Sequence, residues 1–274
     1  MQTPNLVQLS QNVNEQGAQL RYLTESVLDL RRRVTAISAE WKLHQMGKRP
    51  RFPVEFMSQF GEDLFFWELF GGRFEGFYIE VGAYDGYRAS VTYAFEAVGW
   101  TGLLVEPLPR RFAECAARRA ASRVVHSALG KRGASGEIEI TAVKDDEWDM
   151  SSYTGDHPMQ RASLDQTKFE REKVRVPLTS MDAVLEATPG GPPAIDFAMI
   201  DVEGSEVDVL EGFDLRKWRP RALMLEDNTF GKDLRLTNYM KGQPYLFFGW
   251  LGVNQIYIRN DDQELIRRAP LVRV

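Results

Sequence analysis

FYIEVGAYDGYRASVTYAFEAVGWTGLLVEP, Phe77 to Pro107, runs from an apolar stretch through a turn with two glycines and a helix-like segment to a second apolar stretch ending in Glu-Pro. Apolar runs of four to six residues, separated by an amphipathic segment, are the signature of two parallel strands joined by a helix. The turn after the first run reads E-x-G-x-x-x-G: Glu80, Gly82 and Gly86. Residues without a β-carbon allow the backbone to turn sharply and a ligand to approach it.

The same alternation continues outward. FYIEVG, GLLVEP, RVVHSAL, IDFAMIDVE and RALMLED are near-continuous apolar runs, as expected of strands covered on both faces. RASVTYAFEAVG, LPRRFAECAARRAA and SEVDVLEGFD between them suit helices. The pattern predicts an α/β domain with a largely parallel sheet. Near the end, PYLFFGWLGVNQIYIRN holds two β-rich runs around LGVN, an antiparallel hairpin closing one edge of that sheet.

Upstream of the body, Leu6, Leu9, Val13, Leu20, Leu23, Val27, Leu30, Val34, Ile37 and Trp41 step by three and four, with Gln16 and His44 as polar breaks. This heptad seam predicts a self-associating coiled coil of two or three strands; a single amphipathic helix lying on its own domain is the alternative. MGKRPRFP, from Met46 to Pro53, ends the helix. Two units follow: an oligomerisation helix over 1–48 and a catalytic domain over 49–274.

Composition narrows the partners. The 274 residues carry a net charge of −5, which gives no basic field for a phosphate backbone, so the expected partner is a small molecule or carbohydrate and not a nucleic acid. The single cysteine, Cys115, rules out an internal disulfide and a multi-thiolate metal site. No run approaches the roughly 18 apolar residues of a membrane span, and the polar start lacks a signal-peptide pattern. The expectation is a cytoplasmic chain.

In open parallel sheets, ligands sit beyond the carboxyl ends of the strands where the strand order reverses, which is where Glu80 to Gly86 should lie. Glu106, twenty residues after Gly86, ends the second strand, where a carboxylate can accept hydrogen bonds from both hydroxyls of a ribose. Gly82 is followed by Ala83, Tyr84 and Asp85, so the dinucleotide pattern G-x-G-x-x-G is missing, as is the phosphate-cradling G-x-x-x-x-G-K-[ST]. An adenosine without a pyrophosphate remains. Acidic residues at the turn repel phosphate and suit a sulfonium or an ammonium group, and S-adenosylmethionine carries both.

Several segments in order, SQFGEDLFF, GFYIEVGAYDG, GWTGLLVEPLP, HSALG, VPLTSMDAVL, IDFAMIDVEGSEVDVLEGFD and LMLEDN, resemble the FkbM family of S-adenosylmethionine-dependent methyltransferases from about Ser58 to Arg259. The resemblance implies a class I methyltransferase fold: a Rossmann-like, seven-stranded, mostly parallel sheet with a reversed strand in its edge hairpin. It also implies an enzyme acting on hydroxyls of sugars, glycans or related secondary metabolites. By the same resemblance Glu80, Gly82, Asp85 and Gly86, with Ala83 between them, would line the methionine end of the cofactor. Glu106 and Pro107 would meet the ribose, Ser127 and Ala128 the adenine edge, and Asp201 the transferred methyl. The heptad arm lies outside the resemblance.

An alcohol is a poor nucleophile and needs a base within hydrogen-bond reach, and a divalent cation makes that base more effective. IDVEGSE places Asp201, Glu203 and Glu206 at one strand end, and LEDN places Glu226, Asp227 and Asn228 at the next. An Asp on one strand and an Asp-Asn pair on its neighbour resembles the magnesium site of catechol-type and macrolide-sugar O-methyltransferases, and hard oxygen donors suit Mg²⁺. Asp201, Asp227 and Asn228 are the expected ligands, Glu203 the expected general base, and His157 its alternative. The carboxylates after the strand could instead only cap the next helix. A coiled-coil adaptor with an inactive methyltransferase-like body is the competing function.

Overall fold

A computed structural model describes residues 6–143, 153–154 and 170–272. Helix α1 (Leu6–Gln45) precedes α2 (Glu62–Leu69), β1 (Phe77–Val81), α3 (Tyr93–Val98), β2 (Thr101–Glu106), α4 (Pro109–Arg118), β3 (Arg123–His126) and β4 (Ala128–Leu129). Next come β5 (Glu137–Val143), β6 (Tyr153–Thr154), β7 (Arg171–Thr179), α5 (Met181–Glu186), β8 (Phe197–Ile200), α6 (Glu206–Glu211) and α7 (Leu215–Trp218). The chain closes with β9 (Ala222–Glu226), α8 (Leu234–Lys241), β10 (Tyr245–Leu251), β11 (Asn254–Arg259) and α9 (Gln263–Arg268).

Seven strands form one sheet in the order β10-β11-β9-β8-β1-β2-β3. All neighbouring pairs from β9 to β3 are parallel, while β11 runs antiparallel to both β9 and β10. The edge hairpin expected from the sequence is therefore present. Every residue of β8 and β9 is buried, which explains their unbroken apolar sequence.

Alternation along β1 divides the core into two layers. Tyr78 points into an aromatic layer with Phe66, Phe95, Trp100 and Phe197, where the Phe66 and Phe197 rings stack 4.0 Å apart. Ile79 and Val81 point into an aliphatic layer with Leu103, Ile200, Leu223 and Phe213. A second, four-stranded sheet, β4-β7-β5-β6, was not expected: β5 and β7 pair antiparallel over seven residue pairs beyond the carboxyl end of β3.

Helix α1 has two faces. Leu28, Ala36, Ala39 and Leu43 pack into the aromatic layer, so the boundary at 48/49 marks a change of sequence pattern but not a break in packing. The opposite face carries the seam from Val13 to Trp41, still exposed along the docked half of the helix, with Ile37 at 68% and Trp41 at 62%. The helix thus lies on its own domain along one face and leaves the apolar seam exposed on the other. Among the described residues no helix is long and apolar enough to cross a membrane.

Candidate active site

The strand order reverses between β1 and β8, and a cleft opens over their carboxyl ends. Gly82 sits at that point with φ +84°, and a Cβ there would lie 1.9 Å from the Asp201 carbonyl oxygen. The two strand ends approach this closely only because position 82 lacks a side chain. Gly82, Glu106, Pro107, Ser127, Ala128 and Asp201 all line the cleft, whose empty space is about 970 Å³ with its open mouth included.

Glu106 is fixed before any ligand arrives. Its Oε2 accepts the Tyr84 amide at 2.9 Å and its Oε1 the Leu108 amide at 2.8 Å. Both amides hold this carboxylate at the end of β2, where it lines the cleft. Ser127 is oriented through its hydroxyl, which lies 3.0 Å from the Pro177 carbonyl on the smaller sheet.

Four other residues expected at the cofactor do not reach the cleft. Glu80 shares the Tyr78 face of β1, so it points inward; its carboxylate accepts the Val91 amide at 2.8 Å and the hydroxyls of Ser90 and Thr92, with Arg119 at 3.8 Å. Arg119 is fully buried and also pairs with the buried Glu96 at 3.0 Å. Burial drives the Glu80 carboxyl upward from its ordinary range, and Arg119 opposes the shift. Asp85 accepts the Tyr87 and Arg88 amides and pairs with Arg118 at 2.9 Å, closing its own turn. A Cβ on Gly86 would meet Cys115 Sγ at 2.9 Å, so helix packing requires this glycine. Ala83 belongs to the aromatic layer. These groups build the loop that carries Gly82 and Tyr84.

Across the cleft, oxygens of Asp201, Glu203 and Glu226 lie within 4.8 Å of one another. The expected set differed, and the difference lies in Asp227. Its Oδ1 accepts the Thr229 amide and hydroxyl, and its Oδ2 accepts the Gly231 amide and the Gln255 side-chain amide. Asp227 thus shapes the 227–231 turn rather than offering a ligand atom, and Asn228 donates to Glu226 Oε1 at 2.7 Å. Glu226, one residue earlier, faces the cleft. Its Oε2 is buried with no donor facing it. A proton shared with Asp201 or a cation satisfies that atom. Burial raises the Glu226 carboxyl well above its ordinary value, and the charges of Asp201, Glu203 and Glu206 add to the shift.

Glu203 stands in the left-handed region, φ +55°, which costs free energy in a non-glycine residue and holds its side chain over the cleft. Glu206, the first residue of α6, braces the turn before the helix rather than capping it: its Oε1 accepts the Val202 and Gly204 amides at 3.2 and 3.0 Å. Burial pushes the Glu206 carboxyl up to about 7. His157 lies outside the described residues. His126 lies 3.0 Å from the Pro107 carbonyl and stacks on Phe112, while His44 is exposed on α1. Gln59, Tyr84 and Ile140 line the cleft without having been singled out from the sequence.

A sheet in this order, with its cleft at the β1/β8 switch point and a carboxylate ending β2, defines a class I methyltransferase fold. The chain belongs to the family of the methyltransferase FkbM domain, whose pattern it matches over residues 80–247. Among solved structures it is similar to the METTL16 methyltransferase domain (14% identity, 71% of this chain, TM-score 0.38), spanning 64% of that chain's length. It is also similar to the N-terminal domain of human METTL16 in complex with SAH (16% identity, 82% of this chain, 80% of that chain, TM-score 0.36). A third similar structure is the C-terminal domain of precorrin-6Y C5,15-methyltransferase from Rhodobacter capsulatus (13% identity, 72% of this chain, 85% of that chain, TM-score 0.35). A comparison with curated proteins found no match.

Proposed function

We propose that this chain is an S-adenosylmethionine-dependent O-methyltransferase whose acceptor is a hydroxyl of a sugar, glycan or related secondary metabolite. The observation that carries the reading is one cleft with an amide-oriented carboxylate, Glu106, on one side and a group of three carboxylates on the other. The cofactor supplies a methyl group on a positively charged sulfur. Glu106 takes the ribose hydroxyls, and Ser127 and Ala128 border the adenine. Asp201, at the end of β8, lies beside the transferred methyl.

Methyl transfer is an in-line displacement, so the protein orients donor and acceptor and removes one proton. Glu203 accepts that proton from the acceptor hydroxyl. The buried Glu226 Oε2 and the Asp201 carboxylate beside it fit a divalent cation such as Mg²⁺, which when bound would lower the hydroxyl's pKa, with Glu203 kept as the base. The outer seam of α1 joins copies of the chain.

The test is isothermal titration with S-adenosylhomocysteine. The expected result is one site per chain, weakened at least tenfold by Glu106→Ala; a folded protein that gives no heat refutes the reading. Turnover insensitive to EDTA would remove the cation and leave the carboxylates as positioning groups.

A further inference from the structure

Arg32 of helix α1 reaches the lip of the cleft. Gln59 lines the cleft, and its backbone belongs to a turn built around the buried Asp63. Asp63 Oδ2 accepts the Ser58 amide at 2.9 Å, its Oδ1 accepts the Ser58 hydroxyl at 2.6 Å, and the Ser58 hydroxyl accepts the Asp63 amide at 3.1 Å. From α1, Arg32 Nη2 donates to the carbonyl of Ser58 and, at 3.3 Å, to that of Gln59. The Arg32 charge also draws the Asp63 carboxyl downward against the larger upward effect of burial. Arg32 Nε is buried without an acceptor, so the lip carbonyls and the Asp63 charge are what hold the guanidinium.

We propose that Arg32 is a positioning residue for the cofactor cleft: it fixes the Ser58–Gln59 lip and thereby links the state of the α1 arm to cofactor affinity. The inference rests on the cofactor reading of the cleft given above. Arg32 lies on the inner half of α1 while the apolar seam faces outward, so pairing of seams and gripping of the lip are compatible. Anything that steadies the arm steadies the lip, and linkage makes the effect reciprocal.

The experiment uses the full chain and S-adenosylhomocysteine as the probe. Arg32→Ala should raise its Kd at least fivefold at a temperature where wild type and variant are both folded. Arg32→Lys, which keeps a charge near Asp63 but lacks the planar fork, should fall between them. Hydrogen exchange should show ligand-dependent protection of residues 28–43 in the wild type and its loss in Arg32→Ala. A Kd within twofold of wild type in both variants overturns the inference, as does protection of the arm unchanged by ligand. Should Arg32→Ala fail to fold, Arg32→Lys and the exchange measurement decide. No heat from the wild type overturns the cofactor reading itself, and is thereby distinguished from failure of this inference alone.

Discussion

Glu80→Gln separates an inward-facing carboxylate from a cofactor ligand. In the folded chain the Glu80 carboxylate accepts the Val91 amide and two hydroxyls and faces Arg119. A glutamine keeps the volume and one acceptor oxygen, which can stay on the Val91 amide. Its NH₂ then faces the Ser90 and Thr92 hydroxyls, and these must turn round to accept. Two charge-assisted hydrogen bonds are lost, each worth about 1.5 kcal/mol. Arg119 keeps Glu96 at 3.0 Å, so the cost stays below the roughly 3–5 kcal/mol of a fully orphaned buried charge. The expected loss is about 2–3 kcal/mol, a fall of about 4–6 °C in Tm. Glu80 does not reach the cleft, so the Kd for S-adenosylhomocysteine should change less than about threefold, or about 0.7 kcal/mol. Thermal melts and titration on the same protein make the comparison. A variant with unchanged Tm and a Kd weakened more than tenfold would refute the assignment and return Glu80 to the ligand.

Glu203→Gln should lower turnover about 100-fold or more with S-adenosylhomocysteine affinity nearly intact, since a positioned base contributes a factor of that order; retained turnover moves the base elsewhere. Burial holds the Glu62 carboxyl at about 7 against an ordinary 4.5, so the folded state keeps a proton that the unfolded chain releases. Stability from this group is complete below pH 4.5 and lost as pH rises through 7, and the wild type should lose about 3 kcal/mol relative to Glu62→Gln between pH 4.5 and 8. Parallel urea midpoints across that range would contradict it. Val34→Glu with Ile37→Glu places charges on the exposed seam and should reduce the sedimenting species to a monomer; an unaltered mass would show that the seam does not join subunits.

Strand identity was legible because β1, β2, β8 and β9 are covered on both faces and spell it in apolar residues. The edge hairpin was legible from its two β-rich runs around LGVN, although β10 is exposed along most of its length. Side-chain direction at the strand ends was not. Acidic residues end β1, β8 and β9 in sequence, yet Glu80 turns inward while Glu226 faces the cleft and its neighbour Asp227 holds a turn. The i,i+2 relation of Tyr78 and Glu80 held the clue: a residue sharing the face of a core tyrosine is a core residue. Gly82 and Gly86 look alike in sequence, but one meets a strand backbone and the other a helix. The smaller sheet was missed because charged residues interrupt β5 and β7, whose outward positions remain exposed. Gln59 stands in the SQFGEDLFF segment, but nothing in its residue type marks it as a cleft residue.

The most direct measurement is a crystal structure of the chain grown with S-adenosylhomocysteine. One molecule per chain is predicted over the β1/β8 switch point, its ribose hydroxyls at about 2.7 Å from the Glu106 oxygens and its sulfur turned toward Asp201. A cleft left empty at millimolar ligand, or a ligand bound away from Glu106, would contradict the account.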